Sequence, residues 1–351
     1  MDLGLLLESF NMIEHIKGLV AAPYTAMNSD CSINLDVIER QANFLAKNRV
    51  SGAFICGTTG EGALLTTQEK KDITTRWTDV APKGLKVIVH VGGPCLEDCK
   101  TLAAHAQGVG AWGIGAIAPS FFKPRNVEDL VSFCAEVAAS APSLPFYFYH
   151  MPSMTGVNFP MIRFLEQASK KIPNLAGIKY TYEDLMDYQL CLAFEDGRYD
   201  MLFGRDEMLI CALSLGARGA VGSTYNFASP LYTNIIAAFD EGDLVGARKL
   251  QKKSVDLIQL LFQTPASFQA VGKSVMKILG IDCGPVRPPL ANMTQMAYEN
   301  LKGLAELGFF EYCSQGEAFE IPCRKDANGV SIREIKIKTK RTLIADSKKT
   351  K

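Results

Sequence analysis

Charge of one sign is missing from this sequence: 37 Lys and Arg face 37 Asp and Glu in 351 residues, a formal net charge of zero. A dedicated nucleic-acid surface needs a basic excess, so no nucleic-acid partner is expected. Long apolar runs are missing as well, and nothing approaches the length of a membrane span. The opening Leu5-Leu6-Leu7, between Asp2 and Glu8, lacks the basic start, long apolar core and cleavage pattern of a signal peptide. Histidine is scarce, with four in the chain. Cys95 and Cys99 have a spacing that can seed a metal site, but no second pair completes a zinc ligand set, so no metal is expected. The ten cysteines are scattered, several inside apolar runs, as suits small buried hydrophobes in a reducing compartment. The expectation is a soluble cytoplasmic protein without disulfides.

What is present is apolar bulk in short pieces. With 48% hydrophobic residues the chain can bury one large core. Short apolar runs closed by Gly, Pro, Thr or a polar residue recur, and most precede a segment of helical periodicity. Strands are predicted near 18–22, 52–56, 86–91, 115–118, 145–149, 176–179, 201–204 and 219–222. Helices are predicted at 35–47, 68–80, 97–109, 127–139, 160–171, 183–194, 207–215 and 230–240. Strands apolar on both faces, each followed by a helix, fit a (β/α)8 TIM barrel of the α/β class better than a doubly wound sheet. Where a dinucleotide fold would carry its glycine-rich fingerprint, Pro23-Tyr24-Thr25 stands instead. The expected organisation is an N-terminal extension over 1–14, the barrel over 15–241, and an appended C-terminal helical layer over 242–312 with helices at 244–263, 268–279 and 293–307. A basic tail over 313–351, with Lys336, Lys338, Lys340 and Arg341 clustered, is expected to fray into solvent; a phosphate-binding or address role is the alternative.

Barrel enzymes place their chemistry at the C-terminal ends of strands, so these ends define one candidate mouth. Lys179 closes the apolar run Leu175-Ala176-Gly177-Ile178 and Tyr149 closes Pro145-Phe146-Tyr147-Phe148. Burial lowers a lysine's pKa and frees its lone pair to attack a carbonyl; the alternative is a lysine that snorkels to water. The second strand delivers Gly57-Thr58-Thr59-Gly60-Glu61-Gly62, a donor nest suited to a carboxylate, or an ordinary strand-to-helix turn. Thr181 lies just past Lys179. Strands seven and eight deliver Gly204-Arg205-Asp206-Glu207 and Gly222-Ser223-Thr224-Tyr225-Asn226, partners for a polyhydroxylated substrate; for Asp206 and Glu207, helix capping is the competing role.

The ordered set of Gly57-Thr58-Thr59-Gly60-Glu61, Tyr149 with Pro152 and Gly156, Gly177-Ile178-Lys179, and Gly222-Ser223-Thr224 resembles the lysine-dependent pyruvate aldolases, a family that includes N-acetylneuraminate lyase and dihydrodipicolinate synthase. The resemblance spans roughly 15–310. Met154 stands where dihydrodipicolinate synthases typically carry an arginine for their second substrate's carboxylate. Gly204-Arg205-Asp206-Glu207 resembles the polyol-binding motif of the sialic acid lyase branch, and His90-Val91-Gly92 and Ala220 to Asn226 resemble its animal members.

The resemblance implies a class I aldolase that needs no cofactor and cleaves N-acetylneuraminate to N-acetylmannosamine and pyruvate. Lys179 would form the Schiff base, Tyr149 would carry the proton, and Thr58 and Thr59 would bind the carboxylate. Thr181, Gly204, Asp206, Glu207 and Ser223 would hold the sugar chain. A homotetramer is implied too. Many members bring a neighbouring subunit's tyrosine into the relay from the loop after strand four; here Phe121 and Phe122 stand in that loop, so Ser120, water or the substrate must complete the relay, or the loop serves only as a subunit contact. An aldolase for a shorter 2-oxo acid is the nearest alternative, and a sialic-acid-binding scaffold without turnover is a third.

Overall fold

The computed structural model describes residues 13–306 and residue 313. The 1–12 segment and the basic-tail residues of 314–351 lie outside the described residues. Eight parallel strands close on themselves in chain order: β1 (Gly18–Ala21), β2 (Gly52–Ile55), β3 (Lys86–His90), β4 (Gly113–Ile117), β5 (Phe146–His150), β6 (Leu175–Tyr180), β7 (Asp200–Phe203) and β8 (Gly219–Gly222). The circle is completed by β8 pairing with β1 over Gly18↔Gly219 to Ala21↔Gly222. This is the TIM barrel the alternation of elements predicts.

Side chains fill the barrel rather than leave a pore. Val20, Phe54, Ile88, Tyr147, Tyr149, Leu202 and Val221 form a buried cluster with Ile16. The floor carries one buried acid that the sequence does not betray. Asp200, 1% exposed, accepts hydrogen bonds from the Ile16 amide (3.0 Å) and the Tyr147 hydroxyl (2.9 Å), which ties the incoming chain to β5 and β7. Burial pushes its carboxyl up to about 7.

The outer helices follow the expected order: α1 (Asp36–Lys47), α2 (Thr67–Val80), α3 (Leu96–Gly108), α4 (Val127–Ala139), α5 (Pro152–Thr155), α6 (Met161–Lys171), α7 (Leu185–Ala193), α8 (Leu209–Ser214) and α9 (Tyr225–Asp240). Their starts are legible because polar caps satisfy the first amides: Thr66 and Glu69 form a reciprocal capping box on α2, and Asn126 and Asp184 cap α4 and α7. Beyond the barrel, α10 (Leu244–Gln263), α11 (Phe268–Ile278) and α12 (Gln295–Glu306) form the appended layer within the same compact unit.

Two predicted elements differ, and one element was not predicted. The eighth barrel helix begins at Tyr225 rather than 230, with a kink at Ala228 (φ −120°, ψ 20°). Pro230 has no amide to donate back along the helix, so the chain breaks just before it and resumes, and a proline read as a start sits inside. The seventh helix opens as a 3-10 turn over Asp206–Met208 before α8. The short α5, which begins at Pro152 and ends at Gly156 in the left-handed region (φ 62°), is too brief for periodicity to reveal.

Candidate active site

Lys179 sits near the C-terminal end of β6, in register with Tyr149 on β5 and Leu202 on β7. It does not snorkel. The side chain is buried (5% exposed), and Nζ lies 4.0 Å from the ring centroids of both Phe54 and Tyr149. Ring faces attract an ammonium, but burial outweighs that attraction and pulls the Lys179 pKa down to about 7, with Asp206 opposing the shift. Near neutral pH a large fraction of the amine is therefore unprotonated, the form that adds to a carbonyl.

Tyr149 is equally enclosed, and burial pushes its phenol up to about 12, so the proton stays on. The hydroxyl donates to Met151 Sδ (2.9 Å) and lies 3.3 Å from Thr58 Oγ1. That last distance joins β5 to the Gly57–Gly62 turn after β2. Thr59 is half-buried beside Thr58 in the same turn. His90 packs edge-on to Tyr149 with centroids 5.8 Å apart, its Nδ1 3.2 Å from the Cys56 carbonyl. Burial lowers the His90 imidazole to about 3, so it adds no charge beside the lysine.

The loops after β6, β7 and β8 supply the polar wall. Thr181 is buried and interacts with the Tyr149 hydroxyl, and a Cβ on Gly204 would fall 1.9 Å from its Oγ1. Asp206 does not cap its own helix. Its carboxylate accepts from the Thr224 amide (3.0 Å) and hydroxyl (2.5 Å), and burial raises it to about 6. Glu207 pairs with Arg205 (3.4 Å), which also pairs with Glu183, while Glu207 and Ser223 remain half-buried. Among the described residues, no group of three or more His, Cys, Asp or Glu side chains is arranged to hold a metal ion.

Gly222 tests how tightly this wall is built. A Cβ there would lie 1.9 Å from Asp206 Oδ1, displacing the carboxylate from Thr224. Gly222→Ala is expected to destabilise the fold by about 3 kcal/mol, read from urea melts, because a buried acid loses its donors. A melt that coincides with the parent would show that Asp206 has room to turn.

The nine residues singled out in the sequence lie at or just beyond the C-terminal ends of β2, β5, β6, β7 and β8. Several neighbours were missed. Phe54 lies in an apolar run without alternation, so nothing marks it as facing inward. Thr224 was read as part of the strand-eight motif but not as the partner of Asp206, and Met151 and Gln251, whose Nε2 donates to the Asp206 carbonyl (3.1 Å), carry no motif of their own.

Comparisons with known proteins agree with this geometry. The profile of the Dihydrodipicolinate synthetase family matches residues 15–307. The chain is 40% identical over 292 residues to N-acetylneuraminate lyase A of Xenopus laevis, covering 82% of this chain and 95% of that protein. It is 40% identical over 283 residues to N-acetylneuraminate lyase of Mus musculus, covering 80% and 88% respectively. Among solved structures, the native N-acetylneuraminate lyase (sialic acid aldolase) of Aliivibrio salmonicida superposes with a TM-score of 0.82 at 40% identity, over 85% of this chain and 98% of that one. A match over most of the chain, carried on a barrel with a buried lysine at its mouth, makes this protein a member of the dihydrodipicolinate synthetase family.

Proposed function

We propose that the protein is a Schiff-base aldolase that cleaves N-acetylneuraminate reversibly to N-acetylmannosamine and pyruvate. The observation that carries this reading is the buried Lys179 amine, its pKa lowered to about 7, 4.0 Å from the Tyr149 ring. Similarity to N-acetylneuraminate lyases supports the choice of substrate.

In this mechanism the neutral Lys179 adds to the C2 ketone of the open-chain sugar acid, and water leaves to give a protonated Schiff base. The C4 hydroxyl loses its proton, the C3–C4 bond breaks, and its electron pair moves into the iminium as an enamine. N-acetylmannosamine departs as the aldehyde. Protonation at C3 and hydrolysis then release pyruvate and regenerate the amine. Tyr149 carries the proton, through the Thr58 hydroxyl or the substrate carboxylate that Thr58 and Thr59 hold. Thr181, Gly204, Asp206, Glu207 and Ser223 bind the hydroxyl chain, where an unpaired buried acceptor would cost affinity.

The same reading makes the protein a cytoplasmic homotetramer. No described helix is long and apolar enough to cross a membrane. Phe121 and Phe122, 81% and 86% exposed and packed edge to face, offer the aromatic contact that a neighbouring subunit would cover.

A substrate panel tests the function: N-acetylneuraminate, N-glycolylneuraminate, 4-hydroxy-2-oxoglutarate, and aspartate semialdehyde with pyruvate. Pyruvate release from a sialic acid is expected. Cleavage of hydroxyoxoglutarate with neither sialic acid cleaved would reassign the protein to a shorter substrate, and tight sugar binding without release would make it a scaffold.

A further inference from the structure

The Gly57–Gly62 turn is neither strand nor α-helix, yet it contains the hydroxyls proposed to hold the substrate carboxylate. Two non-glycine residues bound it in the left-handed region, Cys56 and Glu61, each at φ 56°. Such conformations cost energy and persist only where surrounding contacts over-determine them. Two bonds close the turn on itself, from the Glu61 amide to the Thr58 carbonyl (3.1 Å) and from the Gly62 amide to the Gly57 carbonyl (2.9 Å). From the barrel, Thr25 donates to the Gly60 carbonyl (2.6 Å) and Tyr149 lies beside Thr58; further restraints come from the appended layer.

Glu61, with no side-chain exposure, pairs with Lys273 of α11 at 2.6 Å, and Lys273 is itself only 2% exposed. The other Glu61 oxygen accepts from the Arg287 amide (2.9 Å), and Lys273 also donates to the Pro285 carbonyl (2.6 Å). One helical turn before Lys273, Gln269 Nε2 reaches the Thr58 carbonyl (3.4 Å). Thus one face of α11 grips both ends of the segment from Thr58 to Glu61. Arg287 holds the exit, with its guanidinium on the Leu64 carbonyl (2.9 Å) and on Glu69. An apolar pair of similar volume would dock the layer equally well, since burying two charges brings little net stability. Directional bonds aimed at one turn suit a positioning task.

We propose that Lys273 and Glu61 position the 57–62 turn, so that the appended helical layer sets the carboxylate-binding geometry of Thr58 and Thr59. This rests on the reading of that turn as the carboxylate cradle of an aldolase. Lys273 touches no substrate; it acts through Glu61.

The test compares the full-length protein with Lys273→Met and Lys273→Arg, checked for fold by circular dichroism. The readouts are the pyruvate concentration that half-saturates borohydride trapping, and kcat against KM for sialic acid cleavage. Lys273→Met is expected to raise half-saturation and KM by about tenfold with kcat within about threefold, the signature of lost binding rather than lost chemistry, and Lys273→Arg to recover part of it. A folded Lys273→Met within about twofold of the parent in both readouts overturns the proposal. If that variant does not fold, Gln269→Leu decides: a rise of about threefold is expected, and no rise overturns the proposal. Failure of the parent to form any pyruvate adduct would instead remove the aldolase reading, and the turn's carboxylate role with it.

Discussion

Lys179→Met is expected to lower the rate of sialic acid cleavage by about ten-thousand-fold or more, the largest loss expected of any single substitution, because in the proposed mechanism this amine forms the iminium that accepts the electrons of the breaking bond. Methionine keeps the length and fills the space between Phe54 and Tyr149, so the fold is expected to survive. The substitution even relieves a strain, since an amine held down to about 7 by burial is a group the folded state disfavours as a cation. The same shift fixes the pH dependence. Below about 7 the amine is progressively protonated, so kcat/KM is expected to fall by about tenfold per pH unit, and above about 7 it is expected to level off. A profile still climbing steeply at pH 9 would mean that Lys179 keeps an ordinary lysine pKa and lacks the activation argued here.

Tyr149→Phe is the second large effect, with kcat reduced by about a hundred-fold to ten-thousand-fold. The phenol is pushed up to about 12, so it stays protonated; in the proposed mechanism it relays protons through Thr58, 3.3 Å away, or through the substrate carboxylate. Phenylalanine retains the ring face beside Lys179 and removes only the hydroxyl. Pyruvate trapping by borohydride is therefore expected to persist in this variant while turnover collapses, which separates proton transfer from nucleophilic addition. Turnover within about threefold of the parent would place the relay on another group.

The barrel was legible because its eight strands are apolar runs cut off by turn residues, and because capping residues such as Thr66 and Asn126 announce the helices that follow. Pro230 misled for a physical reason: a proline is an equally good first residue or kink, and only the packing of Tyr225 to Ala228 into the core distinguishes the two. Lys179 was legible as an ionisable residue in an apolar strand. Of the two rings beside it, Tyr149 was legible and Phe54 was not: an unbroken run such as Gly52–Ile55 hides which residues face inward. Asp206 illustrates a second limit. Its position offered substrate binding or a helix cap, and its carboxylate spans to Thr224 on the next loop, a contact made by three-dimensional proximity. The Lys273 to Glu61 pair joins residues from opposite ends of the described chain, where no local pattern connects them.

The measurement closest to the central claim is chemical: incubate the protein with pyruvate, reduce with borohydride, digest, and locate the adduct by peptide mass spectrometry. The expected result is a single modified residue, Lys179, with no adduct in Lys179→Met. An adduct on another lysine, or none under conditions where the protein releases pyruvate from a sialic acid, would contradict the mechanism.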